Sequence, residues 1–269
     1  MKTMIALQVG VMGLALGASR LAQATEGVGS NPTSGTFAVV PSFATRAAPD
    51  LMAGVTTSAG WAARRTTLVN LLRDNQYGTW NNSYLNGGGV TGRPSVAPTT
   101  TGSDTSISLC SGTVTKRKFT ITYTNPYIRK SVSIRGVKYV QGTNKPAFLL
   151  INHRDEANIS LDTYVLSEFF PICAILKAGY AAVAFMAGDL DKDTTFIDTD
   201  GGTITWTDGV HGAFPETRGN NSWGTVAAWA WGASRVLDYL VNDPSIDDTR
   251  VAVIGHSRGG KTALWTTAL

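Results

Sequence analysis

Cysteine, histidine and long apolar runs are all scarce in this chain, and each shortage removes a class of explanation. Two cysteines in 269 residues, Cys110 and Cys173, exclude a disulfide framework. Cys173 sits in an apolar helical stretch and reads as a small buried hydrophobe, with a single Cys110–Cys173 bridge left open after export. There is no C-x-x-C and no H-E-x-x-H, so no metal and no cofactor is expected. Beyond the first 24 residues no segment is long and apolar enough to span a bilayer. The formal charge of +4 includes Lys2 and Arg20; without them it is +2, too little to suggest a nucleic-acid partner. No internal repeat is visible.

The chain opens with Lys2, an apolar stretch from Met4 to Ala18, and Ala22-Gln23-Ala24. A short positive start, an apolar middle and an A-x-A site make a secretory signal peptide over residues 1–24, so the product is expected in a periplasm or outside the cell. About 245 residues follow, enough for one α/β domain with its own core. Residues 25–60 are rich in Gly, Ser, Thr, Pro and Ala and read as an extended leader. The domain is placed at 61–269. It begins with a short helix, "WAARRTTLVNLL", and a long polar loop over 81–106.

Alternation then takes over. "TVTKRKFTITYT" and "KSVSIRGVKYV" read as antiparallel strands with one wet face, and "AFLLIN" and "YAAVAFM" as buried strands. Between the buried strands, Pro171 suits the first turn of a helix that Gly179 stops. A loop of some 35 residues follows, then a helix from Trp223 to Leu240 capped by Ser222. Its tryptophans, Trp223, Trp229 and Trp231, sit among alanines and read as core rather than as a sugar platform. Antiparallel strands leading into alternating strand and helix predict an α/β sheet with a parallel core, helices on both faces.

The chain closes on "VAVIGHSRGGKTALWTTAL". A β-branched run, then G-x-S-x-G, then a helix former is the context of a nucleophile elbow and predicts an α/β-hydrolase fold. The turn would push the Ser257 hydroxyl out of the sheet and bring the Arg258 N–H to a helix N-terminus, where a developing oxyanion is stabilised. A serine nucleophile needs a general base and an acid that orients it. In this fold both follow the serine, yet none of the twelve residues after Ser257 is Asp, Glu or His. His256 leaves the turn in another direction. His153 follows a central strand and can help shape the oxyanion region, and His211 reads as a loop anchor. The chain is therefore expected to be the N-terminal part of a hydrolase, with an unpaired sheet edge and poor solubility alone. The carboxylates Asp189, Asp191, Asp193, Asp198 and Asp200 alternate as in calcium loops. Thr194 stands where an EF-hand needs glycine, so a polar loop at the rim is preferred.

The final stretch "NNSWGTVAAWAWGASRVLDYLVNDPSIDDTRVAVIGHSRGGKTALW" resembles the bacterial branch of the glucuronoyl esterases, carbohydrate esterase family 15. "KPAFLLINHR", "FFPICAILKAGYAAVAFMAGDLDKD", "GVH" and the helix "WAARRTTLVNLL" share the likeness, which covers most of residues 61–269. The resemblance implies Ser257 as nucleophile, Arg258 as oxyanion stabiliser through side chain and backbone, and Lys261 as a contact to the sugar hydroxyls. It implies that the acid and histidine lie beyond residue 269. The substrate it implies is a glucuronoxylan or lignin–carbohydrate ester. An acetyl xylan esterase and a truncated, non-catalytic remnant are the alternatives.

Overall fold

The computed structural model describes residues 50–80, 85–86, 93–94, 96–159, 161, 168–192 and 206–269. The expected signal peptide, most of the leader, and Asp193, Asp198 and Asp200 lie outside the described residues. The chain divides after Leu68 into two compact units. In the first, residues 51–54 form a turn, and Arg64 of helix α1 (Ser58–Leu72) donates to the carbonyls of Asp50 and Leu51 at 2.9 and 3.1 Å. The helix thus starts inside the stretch read as leader. It runs on into a single π-helical turn, Arg73–Tyr77, closed by Gly78 at φ +83°.

The second unit carries the sheet. After the two-residue ladder of β1 (Leu85–Asn86) and β2 (Arg93–Pro94) come β3 (Thr99–Leu109), β4 (Gly112–Thr124), β5 (Ser131–Val140), β6 (Lys145–Asn152), β7 (Ala181–Met186) and β8 (Ile246–Ile254). The last six form one sheet in the order β3-β4-β5-β7-β6-β8. β3, β4 and β5 are antiparallel neighbours and β5 meets β7 antiparallel, whereas β7, β6 and β8 run parallel. Among the described residues β3 pairs with β4 alone and β8 with β6 alone, so these two strands are the sheet's edges. β3 corrects the sequence reading, which put residues 99–106 in a loop. Its threonines and serines suit a strand exposed on both faces, and such a strand has no apolar alternation to reveal it.

Helix α2 (Ile172–Lys177) lies on one face and α4 (Thr225–Leu240) with α5 (Arg258–Ala268) on the other, making three layers. Against the α4 face, Phe119, Ile121, Tyr123, Val132 and Ile134 pack with Trp223, Trp229, Trp231 and Trp265, all buried. The tryptophans are core, as read. α4 starts at Thr225 with Gly224 as its cap; Ser222 instead accepts the Gly219 N–H at 2.9 Å. Against the α2 face lie Val114, Val137, Tyr139 and Leu150. Both faces of β5 are therefore buried near its end, which corrects the wet face expected there. Cys110 and Cys173 are joined by a disulfide that ties the β3–β4 turn to α2, so Cys173 is not the free buried thiol expected.

Candidate active site

The parallel strands β6, β7 and β8 all deliver their C-terminal ends to one edge of the sheet, where ligands of open α/β sheets bind. At the end of β8 the chain turns sharply into α5. A methyl on Gly255 would meet the Gly259 carbonyl oxygen at 2.2 Å, so strand and helix can cross this closely only with glycine there. Ser257 pays for the crossing: its backbone sits at φ +53°, ψ −119°, a region that side-chain-bearing residues avoid. Its side chain caps no helical N–H, and the residue is exposed. Arg258 opens α5, and the Lys261 N–H donates to the Ser257 carbonyl at 3.1 Å. Arg258 and Lys261 are both exposed on the first turn of α5, directly after the serine.

The loop after β6 forms the next wall. Asn152, fully buried, ends the strand by folding its side chain into the loop. Its Nδ2 donates to the carbonyls of Arg154 and Asp155 at 3.2 and 3.0 Å, and its Oδ1 accepts the Arg154 N–H at 3.2 Å. His153 then packs under the elbow: a methyl on Gly259 would meet His153 Nδ1 and the Ile151 carbonyl, each at 3.1 Å. The His153 ring stacks on Trp229 at 5.8 Å and lies parallel to His256 at 6.5 Å. Arg154 stacks on Phe169 at 4.5 Å, and Phe169 meets His256 edge-on at 6.1 Å. Arg135 of β5 staples this loop to the next, donating to Asp189 at 2.8 Å and also to Glu156. These bonds and charges hold its guanidinium pKa above the ordinary arginine value.

His211 is not in a loop but in α3 (Gly209–Ala213), buried at 3% exposure between Trp206 and Trp223 at 4.8 and 4.7 Å. Arg218 stands 3.4 Å from its Nδ1. A guanidinium only donates, so Nδ1 accepts and the proton sits on Nε2, 3.7 Å from Asp191 Oδ2. Burial and the Arg218 charge push the His211 pKa down to about 3. Burial, with Asp208 alongside, pushes Asp191 up to about 6, against a hydrogen bond from Thr225 and the charge of Arg218. Trp229 donates to the Asp191 carbonyl at 2.8 Å, which joins this cluster to His153. Sequence reasoning missed the cluster because its members come from three separate segments, none with a local pattern. Among the described residues no group of His, Cys, Asp and Glu is arranged to hold a metal ion. Nor is any helix among them long and apolar enough to cross a membrane.

Known proteins resemble the chain along these elements. The family model "Glucuronyl esterase, fungi" matches residues 165–269. Carbohydrate esterase MZ0003, from an unknown prokaryotic organism, is 41% identical over 127 residues, which is 47% of this chain and 27% of that protein. The 4-O-methyl-glucuronoyl methylesterase of Hypocrea jecorina is 46% identical over 109 residues, 38% of this chain and 23% of its own length. The solved glucuronoyl esterase from Solibacter usitatus shares the fold at a TM-score of 0.61 and 24% identity, over 79% of this chain and 56% of that one. A mixed sheet with a parallel core, helices on both faces and a strained serine between β8 and α5 make up the α/β-hydrolase fold. Within that fold, the chain is similar to the glucuronoyl esterases over residues 165–269. It spans about a quarter, 27% and 23%, of these two curated relatives.

Proposed function

We propose that the whole protein is an exported serine esterase that cleaves the ester between glucuronic acid on xylan and a lignin alcohol. One observation carries the reading. Ser257 is exposed in a strained turn at the C-terminal edge of the parallel strands, with Arg258 and Lys261 beside it. Ser257 Oγ attacks the ester carbonyl carbon and its proton passes to a general base. The resulting oxyanion is met by the Arg258 N–H at the start of α5 and by its guanidinium, which presents several donors in a planar fork. Collapse expels the alcohol, protonated by the base, and leaves an acyl-enzyme that water hydrolyses. Lys261, four residues on, accompanies the sugar hydroxyls.

We assign the base to none of the three histidines. His211 is held neutral among tryptophans, His153 is packed beneath Gly259, and the His256 ring lies against His153 and Phe169. Export fits the N-terminal sequence and the Cys110–Cys173 bridge, since such bridges persist in oxidising compartments. The test is hydrolysis of a benzyl glucuronate ester by the whole protein. Turnover should fall by about 10³-fold or more in Ser257→Ala. An unchanged rate in that variant, or an acetyl ester cleaved in preference to the glucuronate, defeats the reading.

A further inference from the structure

The turn between β4 and β5 has no part in the chemistry above, yet it is built with care. Asn125, fully buried, organises it. Its Oδ1 accepts the N–H groups of Tyr127 and Ile128 at 3.0 and 3.4 Å, and its own N–H reaches the Lys130 carbonyl at 2.8 Å. The Arg129 N–H returns to the Asn125 carbonyl at 3.0 Å, with Arg129 in the left-handed region at φ +58°. Asn125 Nδ2 also donates to the Ala213 carbonyl at 3.0 Å, fastening the turn to the segment that holds His211. What this frame displays is unusual for a surface turn. Tyr127 is 73% exposed, more than any other large hydrophobic side chain among the described residues, and Ile128 is 40% exposed. Arg129 and Lys130 are exposed beside them, and residues 125–134 contain no acidic side chain.

The position matters as much as the composition. β5 runs antiparallel to β7 and pairs with it only over Gly136–Tyr139, so the preceding residues overhang the edge where β7, β6 and β8 end. Residues 131–135 carry the turn roughly 17 Å past the paired stretch at about 3.3 Å per residue. Three strand spacings, about 14 Å, separate β5 from β8 and Ser257. The turn therefore stands beside the mouth of the candidate site and reaches beyond it. A rigid aromatic face with two cations suits a sugar chain whose rings present C–H faces and whose branches carry carboxylates. Because Asn125 fixes the turn, little ordering is left to oppose binding.

We propose that the β4–β5 turn is an accessory binding surface for the acidic xylan chain that carries the ester, with Tyr127 stacking on a sugar ring and Arg129 and Lys130 facing uronate carboxylates. It rests on the esterase reading for its choice of polymer. The test is affinity electrophoresis through gels containing soluble glucuronoxylan, or the same xylan with its uronic acids reduced to neutral sugars. The chain should be retarded by both, more strongly by the acidic polymer. Tyr127→Ala should weaken the dissociation constant on both by about fivefold to tenfold, while Tyr127→Phe, which keeps the ring, stays near the starting value. Arg129→Asn with Lys130→Gln should abolish the preference for the acidic polymer. In the whole protein, Tyr127→Ala should lower kcat/KM on the polymeric ester by a similar factor and leave a small benzyl glucuronate ester within twofold. No retardation of the parent chain, equal retardation of parent and Tyr127→Ala, or parallel losses on polymer and small ester would each overturn the proposal. Ester hydrolysis with Tyr127-independent retention removes this surface and keeps the esterase. Tyr127-dependent retention in a whole protein that opens no glucuronate ester does the reverse.

Discussion

Ser257 shows how much one residue can reveal, and how locally. The pattern of Gly255, Ser257 and Gly259 is legible because the contacts that demand it lie within five residues of each other: the Gly255 position abuts the Gly259 carbonyl. Its strain is a testable quantity. A residue with a side chain held at φ +53°, ψ −119° costs on the order of 1–3 kcal/mol. Alanine keeps the Cβ and the conflict, and glycine removes both at an entropic cost of roughly 0.5–1 kcal/mol. Ser257→Gly is therefore expected to be more stable than Ser257→Ala by about 1 kcal/mol, read from urea unfolding midpoints. Equal or reversed midpoints would show that the turn is unstrained. The Asp191, His211 and Arg218 cluster had no comparable signature. A buried histidine is announced by what surrounds it in space, and its neighbours come from positions 191, 206, 218 and 223.

At the scale of elements, the parallel strands and the helices that cover them were legible from apolar runs and helix stops, whereas the β3–β4 hairpin was half hidden. β3 is exposed along almost its whole length, so no alternation marks it. Its turn is Cys110-Ser111, both at positive φ, 55° and 65°, between the paired residues Leu109 and Gly112. That is the geometry of a two-residue primed turn, which normally advertises itself with Asn-Gly or Asp-Gly. Here two residues ill suited to positive φ are kept in place by the ladder and by the Cys110–Cys173 bridge. The bridge closes a span of 63 residues. In the chain-entropy account a loop of that size contributes about 4 kcal/mol. The Cys110→Ser, Cys173→Ser double variant should lose about that much stability, and the amides of β3 should exchange faster than those of β6. An unchanged melting temperature would mean that the bridge adds nothing to a hairpin the ladder already holds.

Across the whole molecule, buried charge sets how stability should respond to pH, and two groups pull in opposite directions. Asp191 has its folded pKa raised from 3.8 to about 6, so it stabilises the fold most when protonated. That contribution is complete below pH 3.8 and is lost as pH rises through 6, an effect of roughly 3 kcal/mol at 1.36 kcal/mol per unit. His211 has its folded pKa lowered from 6.5 to about 3, so the fold holds it neutral. Its contribution is complete above 6.5 and drains away as pH falls toward 3. Neither residue owes its shift to the other: burial and Arg218 act on His211, while burial, Thr225, Asp208 and Arg218 act on Asp191. Between pH 6.5 and 4 the two slopes largely cancel, and the parent chain should show a shallow profile there. At the far end of the sheet Asp243 adds nothing in this window. Burial works to raise its carboxyl, but hydrogen bonds from Lys138 and Ser245 outweigh it and hold the pKa below 3.8. Single substitutions should separate the slopes. Asp191→Asn leaves His211 alone, so stability should gain at pH 7.5 and fall steadily on acidification to pH 4. His211→Gln leaves Asp191 alone, so stability should rise over the same descent. Urea midpoints at pH 7.5, 6, 5 and 4 for the three proteins measure this directly. Variants that keep the parent's profile would mean that neither group has a pKa in the folded protein that differs from its unfolded value.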